Sequence, residues 1–283
     1  MRRMIGLALV LLVVPAARGE EKPLAQGWDY TKAMKKTAQR FKGRPGVVLH
    51  VGDSITYANP YGQWARSGEG RTDEDKAALK WMHAGADDDS DGWYLARFDH
   101  PDGGRSYTAA GGMRADELLA GSKNKLPSLA KLLDTYKPQM VVLMIGSNDA
   151  SAGHTVDDYK ADVAKALDLM DERGVICILS TIPPHVGKPE LAKKYNEALR
   201  ELAKSRELPL IDYEQEILKR RPDDWNGTLL NKNDVHPTAE QGGAKASSAP
   251  TAENLRNSGY LLRGWLSVRK IAEVKRAVLD AKD

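Results

Sequence analysis

Cysteine occurs once in this 283-residue chain, at Cys177, so no internal disulfide can staple the fold. Its setting, Val175-Ile176-Cys177-Ile178-Leu179, reads as a buried strand in which the thiol is a small core hydrophobe. Surplus charge is scarce as well. The 42 Lys and Arg face 39 Asp and Glu, and the excess sits at the start of the chain. Residues 1–19 carry Arg2, Arg3 and Arg18 and no acid, so 39 charges of each sign remain beyond them. That balance removes the electrostatic case for a nucleic-acid or anionic-membrane partner. No apolar run reaches the ~20 residues of a membrane span; Ile5 to Val14 is about half of it. The histidines show no metal-ligand spacing, and no internal repeat is present.

What the chain does have begins with a leader. A basic start (Arg2, Arg3), the apolar run to Val14 and the small residues Ala17 and Gly19 have the layout of a secretory signal, with cleavage expected after Gly19. No Cys follows the run, which argues against a lipid anchor. The expectation is a secreted or periplasmic protein, without stable membrane insertion, whose residues 20–283 form a single domain. That length can bury a substantial core without staples.

Four short apolar runs, Val47 to Val51, Met140 to Ile145, Val175 to Leu179 and Leu208 to Ile211, do not alternate. Such runs read as strands buried on both faces. Helical periodicity lies between them, at Leu126 to Tyr136, Asp157 to Arg173 and Pro189 to Glu207. A last amphipathic helix is expected over Leu255 to Leu279, docked on the sheet. Strands alternating with helices predict a parallel sheet covered on both faces. Residues 57–106, rich in Gly, Asp, Tyr and Trp, read as a long insertion with one short helix near Asp73 to His83. A further strand is expected near Gly104 to Ala110, and residues 239–254 read as a flexible link.

The chemistry-bearing residues fall at strand ends. Gly52-Asp53-Ser54-Ile55 follows the first strand directly, where α/β proteins place ligands. Taken alone, this triplet also fits an ordinary turn with a helix cap. Gly146-Ser147-Asn148-Asp149 follows another strand, Gly111-Gly112 follows the expected second one, and Asn233-Asp234-Val235-His236-Pro237 precedes the last helix.

These four blocks, in this order, resemble those of the SGNH hydrolase superfamily, the GDSL-type esterases and acylhydrolases. The resemblance spans nearly all of the chain beyond residue 19. It implies a three-layer α/β/α sandwich with a central parallel sheet of about five strands, flavodoxin-like. It implies Ser54 as nucleophile and His236 as its base. The oxyanion hole would be the backbone N–H of Ser54, that of Gly112 (or Gly111) and the side chain of Asn148. No metal or organic cofactor is implied.

One position departs from the pattern. The family usually has Asp three residues before the histidine, where this chain has Asn233; Asp234 stands two before. In a locally extended loop, residues 234 and 236 point to the same side, and Asp234 can orient His236. Alternatively a backbone carbonyl orients it, or the site has lost its acid and only binds glycans. The expected reaction is hydrolysis of carboxylic esters of small molecules or polysaccharides, with O-acetyl groups as first choice. Lipid or thioester hydrolysis is the enzymatic alternative.

Weaker signals remain. Asp87-Asp88-Asp89-Ser90-Asp91-Gly92 begins like a calcium loop, but Phe98 stands where the bidentate Glu belongs, so a solvated acidic loop is expected. Tyr57, Tyr61, Trp64, Trp81, Trp93 and Tyr94 either pack the insertion or line a ligand pocket. His50 is expected as a buried group, and Asp53 and Asp149 as holders of their loops.

Overall fold

The computed structural model describes residues 21–82, 108–123 and 126–281. Strands β1 (Val48–Gly52), β2 (Met140–Met144), β3 (Ile176–Ser180) and β4 (Leu210–Ile211) form one sheet in that spatial order. All three pairings are parallel, with Leu49 opposite Val141 and Val141 opposite Cys177. Every residue of the four strands is buried, His50 and Ser180 included, as expected for non-alternating, mainly apolar runs.

Among the described residues the α-helices are α1 (Thr31–Gln39), α2 (Ser54–Tyr57), α3 (Gln63–Ser67), α4 (Asp73–Met82), α5 (Ala115–Ala120), α6 (Leu129–Tyr136), α7 (Ser147–Ala152), α8 (Val156–Glu172), α9 (Pro189–Ser205), α10 (Tyr213–Arg220) and α11 (Gly259–Val274). Helices α8 and α9, with α5 and α6 beside α8, cover one face of the sheet; α1 and α11 cover the other. The result is a three-layer α/β/α sandwich. Local chemistry sets the helix ends. Thr155 caps α8 by accepting from the Asp158 amide, and Asp157 and Asp158 stand in the first turn, where the helix dipole favours anions. Beyond α8, Gly174 takes φ 69°, and a Cβ there would meet the Phe41 backbone nitrogen at 2.4 Å.

Three expectations are corrected. A parallel sheet of about five strands was expected, and among the described residues it has four. The strand expected at 104–110 survives there as a parallel bridge between Ala109 and Gly52, with Gly52 N–H donating to Thr108 O at 3.2 Å. With that bridge, the chain order across the sheet still reverses beside β1, the switch point at which such sheets bind ligands. Second, residues 239–254 are no flexible link. They hold a hairpin of β5 (Glu240–Gln241) and β6 (Ala244–Lys245), closed by Gly242 and Gly243, both at positive φ as a tight hairpin turn demands. Third, α11 is not a one-faced amphipathic helix. It is wedged between the sheet and α3, α4 and α10, so Leu261, Leu262, Trp265 and Ile271 are buried together with the polar Arg263, Ser267 and Lys270. No helix among the described residues is long and apolar enough to cross a membrane.

Candidate active site

Gly52 ends β1 where only glycine fits: a Cβ would lie 2.2 Å from Met144 O and 2.4 Å from Thr56 Oγ1. The chain then turns sharply into α2. Asp53 is the helix cap, its Oδ1 accepting from the Ile55 amide at 2.9 Å, and Ser54 is the first helical residue. Ser54 is partly exposed while its neighbours Asp53 and Ile55 are buried. The turn therefore pins its neighbours in the core and leaves Ser54 partly exposed.

His236 arrives from the other side, on the loop joining Asn226 to Thr238. Asn231 N–H donates to His236 O at 2.9 Å, and Thr238 N–H donates to Leu229 O at 3.0 Å. Asn233 adopts φ 59°, a left-handed conformation that Asn tolerates better than most residues, and its N–H donates to Asn226 Oδ1 at 2.7 Å. That turn carries Asn233 toward Asn226 and brings Asp234 under the imidazole. His236 Nδ1 lies 2.8 Å from Asp234 Oδ1 and 3.0 Å from Oδ2. A carboxylate only accepts, so Nδ1 holds the ring hydrogen and the Nε2 lone pair faces Ser54 Oγ, 2.7 Å away. Partial burial pushes the Asp234 carboxyl up. The hydrogen bond and charge of His236 and the backbone amides of Val235 and His236 outweigh this, and the net shift is downward.

Asn148 reaches both the Ser54 turn, at Asp53, and the loop that carries Gly112, at Met113. Gly112, at φ 75°, is exposed beside Gly111. Its loop is tied to α7 because the Asp149 carboxylate accepts from the Ala115 amide at 3.1 and 3.2 Å, at the start of α5. Gly146, at φ 132°, has no room for a Cβ, which would meet Tyr159 OH at 2.7 Å. Asn148 follows, its Nδ2 donating to Met113 O at 3.1 Å and to Asp53 Oδ2 at 3.3 Å. The first bond spends one amide hydrogen. The second, to Asp53, is the longer of the two and ties the amide to the Ser54 turn. Burial pushes both Asp53 and Asp149 up to about 6, against the pull of backbone amides and nearby cations.

Other candidates fall elsewhere. Tyr61 and Trp64 are fully buried against α11, so they pack the insertion and offer no stacking face to a ligand. His50 is buried in β1 with Nδ1 2.9 Å from Tyr61 OH. The acidic loop Asp87 to Asp91, with Trp93 and Tyr94, lies outside the described residues. Sequence reasoning missed Arg263, whose guanidinium reaches α2 from α11, donating to Ile55 O at 2.9 Å and to Thr56 Oγ1 at 2.8 Å. The signal was a lone charge inside the apolar stretch Tyr260 to Leu266.

Comparison with known proteins places the chain in a family. The family model of the GDSL-like lipase/acylhydrolase family matches residues 50–241. An arylesterase of Vibrio mimicus is 24% identical over 119 residues, 41% of this chain and 56% of that protein, so the chain spans about half the length of that curated relative. Among solved structures, a carbohydrate esterase family 3 protein from Talaromyces cellulolyticus is similar at TM-score 0.50 and 17% identity, covering 83% of this chain and 99% of that one. An acetyl esterase mutant bound to acetate gives the same values: TM-score 0.50, 17% identity, 83% and 99%. At such identities the two structures speak for the fold. The family match includes Ser54, Gly112, Asn148, Asp234 and His236 within its span, and the chain belongs to the GDSL-like lipase/acylhydrolase family.

Proposed function

We propose that this chain hydrolyses carboxylic esters through an acyl-serine intermediate on Ser54. The observation that carries the reading is the contact chain from Ser54 Oγ to His236 Nε2 at 2.7 Å and from His236 Nδ1 to Asp234 at 2.8 Å. His236 takes the Ser54 hydroxyl proton as Oγ attacks the ester carbonyl carbon. The carbonyl electron pair moves onto oxygen, which is met by the N–H groups of Ser54 and Gly112 and the Asn148 amide. Collapse of this adduct breaks the ester C–O bond, and the departing alkoxide takes the proton from His236. Water, giving a proton to His236, then attacks the acyl-serine; the acid leaves and the Ser54 hydroxyl is restored. Asp234 orients the imidazole and stabilises its charged form throughout.

The substrate class we favour is O-acetyl groups on polysaccharides outside the cytoplasm. Two features support it: the fold shared with a carbohydrate esterase and an acetyl esterase, and a leader at residues 1–19 that reads as a secretory signal. Hydrolysis of p-nitrophenyl acetate, butyrate and long-chain esters, alongside acetylated xylan, tests this. Acetyl release with falling turnover as the chain lengthens is expected. Highest turnover on long chains assigns the site to lipids, and no turnover on any ester contradicts the reading.

A further inference from the structure

Arg263, on α11, is buried, 2% exposed. Its two hydrogen bonds reach the turn that carries Ser54, and neither acceptor is a carboxylate. The guanidinium lies 3.6 Å from the centre of the Tyr61 ring. That ring is itself held. Ser267 Oγ spends its one hydrogen on Arg263 O at 2.9 Å, so it accepts from Tyr61 OH at 3.0 Å. Tyr61 in turn accepts from His50 Nδ1 at 2.9 Å. Burial keeps His50 well below its ordinary pKa and therefore neutral. Packing alone gives no reason for a cation here, since burying one is costly and an apolar side chain of similar size avoids that cost.

The buried anion nearby is Asp53, fully enclosed. It grips α2 at its amide end, through Ile55 N–H, while Arg263 grips the carbonyl end, through Ile55 O. Its other oxygen holds the Asn148 amide. Among the described residues, other ionisable groups that act on or feel Asp53 include His236, Tyr159 and Tyr260; burial keeps both phenols protonated, and His236 is a cation only while it carries a proton. Arg263 is the permanent positive charge among them.

We propose that Arg263 is a positioning residue, a buried cation that holds the carbonyl end of the Ser54 turn while Asp53 holds its amide end and the Asn148 side chain, so that the two opposite charges together fix the turn; its catalytic consequence rests on the ester-hydrolysis reading above. Burial pushes Asp53 up to about 6 even with Arg263 pulling it down. Without that pull Asp53 protonates at higher pH, its hold on Asn148 changes, and activity is lost first on the acid side.

The full chain carrying Arg263→Gln, which keeps a donor but no charge, is compared with Arg263→Lys, which keeps the charge. Two readouts are taken: the pH profiles of kcat and KM on p-nitrophenyl acetate, and infrared titration of the Asp53 carboxyl, its band assigned with Asp53→Asn. In the Gln variant the acid limb and the Asp53 titration should both move to higher pH. At neutral pH, kcat should fall about tenfold or more, with KM within about twofold. The Lys variant should keep the wild-type limb. An unmoved Asp53 titration in the Gln variant, or the same profile in the Lys and Gln variants, overturns the inference. Should the wild-type chain hydrolyse no ester, the infrared titration still decides whether Arg263 controls Asp53, and the function reading is what fails.

Discussion

Ser54 and His236 touch at 2.7 Å, yet they are held by opposite kinds of structure. Ser54 stands on a turn set into the core. Gly52, Asp53, Ile55 and Thr56 are buried around it, and α11 braces it from behind through Arg263. His236 and Asp234 stand on a loop, with side chains 36% and 44% exposed, fixed mainly by hydrogen bonds among residues 226–238. The core side is insensitive to solvent and intolerant of volume change. The loop side depends on a few polar contacts, each replaceable at small cost to the fold. Changes on the loop side should therefore alter chemistry without unfolding the chain, and changes on the core side should couple the two.

That contrast can be tested by substitutions of decreasing effect. Asp234→Asn keeps the shape of the loop but removes the anion that orients and stabilises His236. Turnover should drop by about 10³–10⁴ with little change in melting temperature. A variant that retains turnover assigns the orienting role to another group. Asn148→Ala removes one proposed oxyanion donor and should lower kcat by about 10²–10³ while KM changes little. If KM rises and kcat holds, Asn148 binds substrate in its ground state. Asn233→Asp places an acid at the family's usual position, but the left-handed turn there directs this residue toward Asn226. Activity should stay within about twofold, as for a surface substitution. Restored activity when Asn233→Asp is added to Asp234→Asn breaks the comparison, because the loop is then free to choose its acid.

The same division explains what the sequence revealed. The ends of β1 and β2 were legible because their apolar runs stop at glycines, and Gly52 and Gly146 stand there for a steric reason visible in the packing. The pairing of Asp234 with His236 was readable only as one option among three. It depends on the φ of Asn233, a property of the folded loop that spacing does not encode. Arg263 escaped because helical periodicity assumes one buried face, whereas α11 is enclosed on both. The hairpin at Gly242-Gly243 was hidden by its small polar residues, which resemble a linker in composition. The expected strand at 104–110 contributes a single bridge within the described residues, less than its composition suggested.

The central claim is that Ser54 is a nucleophile activated by His236. Labelling with a fluorophosphonate probe, mapped by peptide mass spectrometry, tests it most directly. The modified residue should be Ser54, with labelling abolished in Ser54→Ala and slowed severely in His236→Ala, both variants remaining folded. Absence of labelling at Ser54 in the wild-type chain, or equal labelling of the His236→Ala variant, would contradict the account.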